Sequence, residues 1–259
     1  MSETLHPRAD ELDGLSTLEF LEVMHAEDEA GVASMHPQLT NIARAVEEIA
    51  QRLRAGGRLH YFGVGSSGLI ARLDAAECPA TFGVAVDVVQ AHSADDPQED
   101  DPDLGRSAAR DAGLGPNDVA VGLSASGRSA YVLGALEHAR ESGAFRVAIT
   151  SHPSSHVARL ADIAIEVVSG PEVIAGSTRL KAGTVQKLVL NMLSTAVFTR
   201  LGRTHRGRMV GVIASNEKLR ARAAKIVADL SGVSLEEARR RLDETGGDVR
   251  AALDGANRR

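Results

Sequence analysis

The sequence predicts an α/β fold in which a doubly wound, largely parallel sheet carries helices on both faces. The chain has 259 residues, of which 43% are apolar, enough to bury the core of one large domain or of a domain with a small appendage. Short apolar runs alternate with helical or loop stretches, a pattern typical of parallel strands covered by helices. The strand candidates are Leu59–Phe62, Ala85–Val89, Val119–Leu123, Val147–Thr150 and Ile163–Val168.

Helices are predicted before and after this alternating region. Ser16-Thr17-Leu18-Glu19 has the form of a capping box, and Leu18, Leu21 and Met24 then recur on one helical face. A second helix is expected from Pro37 to Arg54, ended by two glycines. Three short helices are expected near the C-terminus, at Asn216–Leu230, Ser234–Asp243 and Gly247–Leu253. The predicted organisation is an N-terminal helical extension packed on the core (1–55), a ligand-binding α/β domain (56–212) and a small three-helix module (213–259).

Composition excludes several classes of protein. Aromatic residues make up only 3% of the chain, with no Trp, and the net charge is −6, so we expect no nucleic-acid binding. The single cysteine, Cys78, cannot form an intrachain disulfide, and the polar first residues do not resemble a signal peptide. The most apolar helical stretch, Leu188–Phe198, is too short and polar to span a bilayer. We therefore expect a cytoplasmic protein with no membrane partner.

Two predicted strands end in nearly the same hydroxyl-rich turn. Gly63-Val64-Gly65-Ser66-Ser67-Gly68 follows the first strand, and Ser124-Ala125-Ser126-Gly127-Arg128-Ser129 follows the third. Glycine permits close backbone approach, and free N–H groups with Ser hydroxyls at a helix start attract an anion such as phosphate. Ordinary turns with a Ser helix cap are the alternative reading. The candidate ligand-binding residues here are Gly65, Ser66, Ser67, Ser124, Ser126, Gly127, Arg128 and Ser129.

The ligand is expected to be a phosphosugar rather than a nucleotide. Neither turn ends in the Gly-Lys-Ser/Thr of a P-loop, and Gly63-x-Gly65-x-x-Gly68 is only a weak dinucleotide pattern. The next predicted strand runs into Gln90, with no acidic residue at its end to hold an adenosine ribose.

A third candidate segment, residues 170–181, combines small residues with charges just before a predicted helix. Cations at a helix N-terminus oppose its dipole, so Arg179 and Lys181 favour an anionic ligand over simple surface charges. Glu172 and the hydroxyls of Ser177 and Thr178 would add further polar contacts.

Three motifs carry a family resemblance. The Ser-x-Ser-Gly-x-Ser of Ser124–Ser129 resembles the phosphosugar loop of sugar isomerase (SIS) domains. Leu73-Asp74-Ala75-Ala76-Glu77-Cys78-Pro79-Ala80-Thr81-Phe82-Gly83 resembles a motif of N-acetylmuramic acid 6-phosphate etherases. Gly170-Pro171-Glu172 with Gly176–Thr184 resembles the signature shared by these etherases and the animal glucokinase regulatory protein, and the similarity extends from Ser16 to about Leu253.

The resemblance implies an SIS-type fold, a homodimer and a specific reaction. The etherases remove the D-lactyl group from C3 of N-acetylmuramic acid 6-phosphate, in cell-wall sugar recycling, without a metal or organic cofactor. By its position in the motif, Glu77 corresponds to the acid that assists lactate departure. The second catalytic glutamate corresponds to Glu99, with Asp96, Asp100 and Asp101 nearby as alternatives. The loop at 170–181 would close over a substrate bearing a phosphate and a carboxylate.

Other readings remain open at this point. Glu77 follows a predicted helix, where an exposed carboxylate is common, and acidic stretches with prolines such as Asp95–Asp103 are usually solvated loops. Leu69 stands where most etherases have an arginine, and the segment from Gly83 to Glu99 is shorter than in most of them. A phosphosugar-binding regulator without catalysis is therefore the alternative function, and an aldose–ketose isomerase is a third.

Overall fold

The computed structural model describes residues 3–211 and 217–254, and for positions 218 and 254 it describes the backbone alone. These residues form two compact units. The first contains residues 3–75 and 87–194, and the second contains residues 76–86, 195–211 and 217–254. The N-terminal helices predicted as an extension belong to the same unit as the sheet. Among the described residues, no helix has the length and apolarity that crossing a membrane would require.

A five-stranded parallel sheet forms the centre of the first unit. Its strands are β1 (Leu59–Val64), β2 (Val89–Ala94), β3 (Val119–Leu123), β4 (Phe145–Thr150) and β5 (Ile163–Glu166), in the spatial order β2-β1-β3-β4-β5. Leu59 lies between Val89 and Val119 in register. The strands β1 and β3 and the last four residues of β4 are buried, as expected for a sheet covered on both faces. The predicted α/β class is confirmed.

Eight helices begin in the first unit. They are α1 (Ala9–Leu12), α2 (Thr17–Ala33), α3 (Leu39–Arg54), α4 (Gly65–Phe82), α5 (Pro102–Asp111), α6 (Ala130–Glu141), α7 (His156–Leu160) and α8 (Lys181–Arg200). Phe62 and Ala120 face a cluster containing α5, α6 and α7. Tyr61, whose side chain points to the other face because strand side chains alternate, donates to Asp74 of α4 at 3.0 Å. Both faces of the sheet therefore carry helices.

The second unit contains the ends of α4 and α8, a short hairpin and three helices. The hairpin pairs β6 (Thr204–His205) with β7 (Arg208–Met209), and the helices are α9 (Glu217–Ser231), α10 (Leu235–Glu244) and α11 (Val249–Asp254). Val227, Leu242 and Val249 lie in their common core. The three predicted C-terminal helices are confirmed within one or two residues, and Asn216, the predicted start of the first, lies outside the described residues.

The second strand differs from its predicted position. Strand β2 begins at Val89 and continues through His92 to Ala94, whereas Ala85–Val89 was predicted. Its polar residues are compatible with a strand because β2 is at the edge of the sheet and only half-buried. The acidic residues Asp95 and Asp96 consequently do follow a strand end, which removes the sequence argument against a ribose at this position.

The first long helix is correctly predicted, but its buried face is not. The capping box is present, since Ser16 N donates to Glu19 Oε2 at 2.8 Å and Glu19 N donates to Ser16 Oγ at 3.4 Å. Leu18 and Leu21 are 67% and 54% exposed, and Val23 is buried instead. The helix is apolar on several sides, so helical periodicity alone does not identify the face that packs.

A pair of histidines, one buried and one half-buried, joins β1 to β2. His60 has no exposed surface, its Nδ1 lies 3.0 Å from His92 Nε2, and the two rings stack with centroids 5.3 Å apart. Burial, together with the charges of His92 and Arg58, lowers the pKa of His60 from 6.5 to about 4. His60 is therefore neutral in the folded protein at neutral pH.

We expect the free energy of unfolding to decrease by roughly 3 kcal/mol between pH 7 and pH 4 because of His60 alone. The folded state binds the proton less tightly than the unfolded chain, so this stability is complete above pH 6.5 and is lost as the pH falls toward 4. Urea unfolding of wild type and His60→Gln at several pH values measures the effect. The loss should shrink in His60→Gln and remain in His25→Gln, which replaces an exposed histidine. If the free energy of unfolding depends on pH identically in all three proteins, His60 is not the cause of the loss.

Candidate functional site

A cleft lies where the strand order of the sheet reverses. The chain leaves β1 toward β2 on one side and returns to β3 on the other, and ligands of open parallel sheets bind at such points beyond the strand ends. The cleft has a volume of about 490 Å³. Its lining comes from the ends of β1 and β3, the acidic stretch after β2, the loop before α8 and the N-terminal segment.

The turn after β3 is a preformed cradle. Gly127 has φ +67°, and an added Cβ there would lie 2.2 Å from Ser155 Cβ, so only glycine fits. Ser124 Oγ accepts from Gly127 N at 3.0 Å, and Ser126 Oγ accepts from Arg128 N at 3.3 Å. These bonds hold the hydroxyls of Ser124 and Ser126 within 3.5 Å of each other at the cleft.

Ser129 adds a third hydroxyl to this cradle. It is the N-cap residue of α6, but its side chain makes no capping bond, and its Oγ has no hydrogen-bond partner within the described part of the chain. Ser129 is 3% exposed and lines the cleft. A buried hydroxyl without a partner is costly, so a ligand that pairs with it would gain that energy on binding.

The turn after β1 differs from the one after β3. Strand β1 passes directly into α4 at Gly65, which has φ +52°, so Ser66 and Ser67 occupy the first turn of the helix. An added Cβ at Gly65 would lie 2.0 Å from Asp96 Oδ1. A carboxylate therefore lies against this turn, and a phosphate here would meet a like charge. The two turns thus differ in their surroundings, and ligand binding by Gly65, Ser66 and Ser67 stays a prediction.

The acidic stretch after β2 has regular local structure, although most of its side chains are exposed. Residues Asp96–Gln98 form a 3₁₀ turn, and Asp101 caps α5 by accepting from the backbone N–H groups of Asp103 and Leu104 at 3.0 Å. Of the four acidic candidates, Asp96, Glu99 and Asp100 line the cleft, and Asp101 is engaged in its cap.

Glu99 has the electrostatic properties of a general base. Its main chain is fixed because Tyr131 N donates to Glu99 O at 3.0 Å. Its side chain is half-buried, and burial, with the like charges of Asp100 and Asp96, raises the pKa of Glu99 above its usual value of 4.5. A carboxylate with a raised pKa is a stronger base and accepts a proton more readily.

Some polar residues of the loop before α8 line the cleft, and Glu172 caps the helix. Ser177, Thr178 and Arg179 line the cleft. Glu172, 2% exposed, accepts from the N–H groups of Lys181 and Ala182 at 3.0 and 2.9 Å, which caps α8.

Lys181 is directed away from the cleft. Its side chain is 3% exposed, and Nζ pairs with Glu27 of α2. In this structure Glu172 and Lys181 make internal contacts, because a helix start needs a negative cap and a buried cation needs a carboxylate. Their contacts with a ligand stay a prediction.

One further carboxylate of the cleft, Glu3, was not predicted, whereas Asp96 was an alternative for the catalytic base. Asp96 lies against Gly65, and Glu3 lines the opening near Gly176, where an added Cβ would be 3.2 Å from Glu3 Oε2. The run of acids around Asp96 was a usable signal in the sequence, but no pattern near the N-terminus indicated Glu3. Within residues 3–211 and 217–254, no three His, Cys, Asp or Glu side chains group as metal ligands.

Glu77 lies on the last turns of α4, which belong to the second compact unit. Its side chain is exposed, as a helix-end carboxylate would be. Its assignment as the catalytic acid depends on the Leu73–Gly83 motif and stays a prediction.

Comparison with known proteins identifies close relatives. Two family profiles, both described as SIS domain, match residues 31–151 and residues 107–196. The N-acetylmuramic acid 6-phosphate etherase of Rhizobium rhizogenes is 44% identical over 98% of this chain and 85% of its own length. That of Symbiobacterium thermophilum is 47% identical over 94% of this chain and 84% of its own length. The solved phosphoheptose isomerase of Neisseria gonorrhoeae, 21% identical, superposes with a TM-score of 0.55 over 71% of this chain and 100% of its own, which shows a shared fold.

Proposed function

This chain belongs to the N-acetylmuramic acid 6-phosphate etherase family, and from that premise we propose that its cleft binds N-acetylmuramic acid 6-phosphate and cleaves the C3 ether. The products are N-acetylglucosamine 6-phosphate and D-lactate, and the enzyme is a carbon–oxygen lyase of cell-wall sugar recycling. The observation that carries this proposal is the 44–47% identity to etherases across nearly the whole chain. The cleft at the reversal of strand order supports the proposal, because ligands of open parallel sheets bind at such points.

The phosphate group binds at the turn after β3. Ser124, Ser126 and Ser129 offer hydroxyl donors there, and α6 begins directly behind them with its positive dipole end. Arg128 and Arg179 line the same cleft and supply positive charge in a protein whose net charge is negative. The sugar then extends toward the turn after β1 and the acidic stretch.

The two proposed catalytic carboxyls act at different steps. In the ring-opened sugar the C1 aldehyde acidifies the C2 proton, and Glu99 removes it as the general base. Glu77 protonates the departing ether oxygen, so that D-lactate leaves with its C–O bond electrons and an alkene remains between C2 and C3. Water then adds to that alkene. The lining of the cleft by Glu99 and its raised pKa support the first role, and the motif around Glu77 supports the second.

Release of D-lactate from N-acetylmuramic acid 6-phosphate by the purified protein tests the proposal. A coupled D-lactate dehydrogenase assay should show catalytic turnover, and Glu99→Gln serves as the inactive control. If the wild type binds N-acetylglucosamine 6-phosphate but never releases lactate, the chain is a phosphosugar-binding regulator instead.

The placement of the phosphate gives a binding prediction. Ser126→Ala should weaken N-acetylglucosamine 6-phosphate binding by roughly 1.5–3 kcal/mol, the usual value of a hydrogen bond to a charged group. Isothermal titration calorimetry measures the affinity. Ser142→Ala at the opposite end of α6 is the matched control, because Ser142 Oγ donates to Ala139 O and does not reach the cleft lining. Equal affinities of folded Ser126→Ala and wild type would refute the placement.

The proposed assembly is a cytoplasmic homodimer. Sugar phosphates are intracellular metabolites, which supports the compartment, and the family resemblance supports the dimer. Leu69 and Leu73, one turn apart on α4, are 65% and 48% exposed and offer apolar surface for a protein contact. Light scattering of the purified protein gives the mass, and a monomer at micromolar concentration would exclude a stable dimer.

A further inference from the structure

The N-terminal segment, residues 3–12, is held against α2 by a buried histidine. His6 is 6% exposed, and its Nε2 lies 3.2 Å from Oε1 of Glu27. Its other ring nitrogen, Nδ1, accepts from the backbone N–H of Arg8 at 3.2 Å. Because that backbone group can only donate, Nδ1 carries no proton, and the Nε2–H group donates to Glu27. A directed hydrogen bond thus fixes the segment at His6.

Glu27 joins this segment to the loop before α8. Its Oε1 accepts from His6, and its Oε2 pairs with Lys181 Nζ. Leu12, at the end of the segment, and Val173, in the same loop, lie in one small apolar cluster. A polar and an apolar contact therefore hold the N-terminal segment beside a loop that lines the cleft.

This arrangement brings the carboxylate of Glu3 to the cleft. Glu3 lines the opening, and a Cβ added at Gly176 would lie 3.2 Å from Glu3 Oε2 and 3.4 Å from Glu3 Oε1. Both carboxylate oxygens thus lie close to the backbone of the loop. Among the residues that the structure describes, Glu3 has no hydrogen bond or ion pair. Its acceptor sites are therefore open to a ligand.

The chemistry of a carboxylate determines which part of a phosphosugar Glu3 can bind. An ionised carboxylate is an acceptor only, so it bonds to hydroxyl or amide N–H donors and repels a phosphate. Arg128 and Arg179 line the same cleft and supply the positive charge that a phosphate requires. Inorganic phosphate has no sugar hydroxyl, so the Glu3 carboxylate should distinguish it from a sugar phosphate.

We propose that Glu3 is a specificity-determining residue whose carboxylate accepts a hydrogen bond from a hydroxyl or the acetamido N–H of the bound sugar, and that His6 positions it through Glu27. The proposal deepens the proposed function, from which it takes the ligand to be an amino-sugar phosphate. The N-terminal segment is then part of the ligand site. Glu3 acts on the sugar, while other groups of the cleft bind the phosphate.

Two probes and a matched pair of variants test the role of Glu3. Glu3→Gln keeps the shape of the side chain and removes its charge. Glu11→Gln does the same to a carboxylate of the same segment that pairs with Arg8 and lies outside the cleft lining. Calorimetry gives the Kd of N-acetylglucosamine 6-phosphate and of inorganic phosphate.

The two probes should respond differently to Glu3→Gln. The Kd of the sugar phosphate should rise about threefold to tenfold, because a hydrogen bond to a charged acceptor becomes one to a neutral acceptor. The Kd of inorganic phosphate should stay the same or decrease, since a like charge is removed. Glu11→Gln should leave both Kd values unchanged. An unchanged or lower Kd of the sugar phosphate in Glu3→Gln would overturn the proposal, and so would an equal rise of both Kd values, which means that the phosphate site itself has changed.

A double-mutant cycle tests whether His6 acts through Glu3. His6→Leu removes the donor to Glu27 and should also raise the Kd of the sugar phosphate about threefold to tenfold. His25→Leu, which breaks an exposed pair with Glu29, is the control and should have no effect. In the Glu3→Gln background His6→Leu should cause no further loss. A further loss there, or wild-type affinity of His6→Leu, would overturn the positioning role. Circular dichroism checks that each variant is folded.

Failure of this inference can be distinguished from failure of the proposed function. A wild type that binds the sugar phosphate but releases no D-lactate overturns the proposed function, and the Kd values still decide the role of Glu3. A wild type that releases D-lactate with a sugar phosphate Kd insensitive to Glu3→Gln overturns this inference alone. Absence of any sugar phosphate binding by the wild type would overturn both.

Discussion

Replacing Glu99 by Gln is expected to lower D-lactate release about 10²–10⁴-fold and to abolish exchange of the C2 proton with deuterated water. The amide keeps the shape of the side chain but cannot accept a proton, so the first step of the elimination fails. Glu77→Gln is expected to lose lactate release and yet retain C2 exchange, because departure of the ether oxygen follows proton abstraction. Proton NMR in deuterated water measures exchange, and the coupled assay measures lactate.

The raised pKa of Glu99 adds a dependence on pH. A base is active in its deprotonated form, so kcat/KM should fall on the acid side at a pH above the usual glutamate value of 4.5. Burial is the main cause of the raised pKa, followed by the charges of Asp100 and Asp96. Removing one of those charges, as in Asp100→Asn, should lower the pKa of Glu99 and move the acid limb to lower pH.

Asp100→Asn is also the matched control for the catalytic assignment. It removes a neighbouring carboxylate of the same cleft and should retain most of the turnover at neutral pH. Full exchange and full lactate release by Glu99→Gln would exclude Glu99 as the base. Loss of both activities in Asp100→Asn with retention in Glu99→Gln would transfer the role to Asp100.

The alternation of apolar runs and helical stretches was sufficient to predict the sheet. Strand β3 has the predicted bounds, and β1 and β4 extend the predicted runs by two residues each. Such strands are buried on both faces, so their sequences are continuously apolar and easily recognised. The edge strand β2 is half-buried and polar, and its bounds follow from pairing with β1, a contact between residues 30 positions apart. Local sequence does not contain that information.

The candidate site was predictable to the extent that its residues lie in turns. The cradle after β3 and the cleft-lining Ser177, Thr178 and Arg179 follow from residue types placed at strand ends or before a helix. The partners of Lys181 and Ser67 could not be predicted, because Glu27 and Gln186 are distant in sequence and meet them through tertiary packing. Lys181 thus stabilises the loop before α8 through an internal ion pair, while its neighbours Ser177, Thr178 and Arg179 line the cleft.

Replacing Lys181 is expected to lower the stability of the folded protein. Nζ, which is buried, pairs with the partly exposed carboxylate of Glu27, and the stem of the side chain packs on Gly31, where an added Cβ would lie 3.0 Å from Lys181 Cγ. Lys181→Met keeps that stem and removes the charge. We expect the free energy of unfolding to fall by roughly 2–3 kcal/mol, below the value of about 3–5 kcal/mol typical of a fully buried pair, because the Glu27 side chain is 26% exposed. Urea unfolding monitored by circular dichroism measures it.

Stability is lost because the charged carboxylate of Glu27 remains when the Lys181 ammonium group is removed. Burial alone would raise the pKa of Glu27, but the hydrogen bonds from Lys181 and His6 outweigh burial and lower it, so Glu27 is charged at neutral pH. Lys181→Met leaves that charge with His6 alone, 3.2 Å away. Glu27→Gln in the Lys181→Met background should therefore recover part of the lost stability. Arg8→Met, which breaks the exposed pair with Glu11, is the control and should cost less than about 1 kcal/mol. A loss in Lys181→Met as small as in Arg8→Met would show that the pair does not hold the loop before α8 in place.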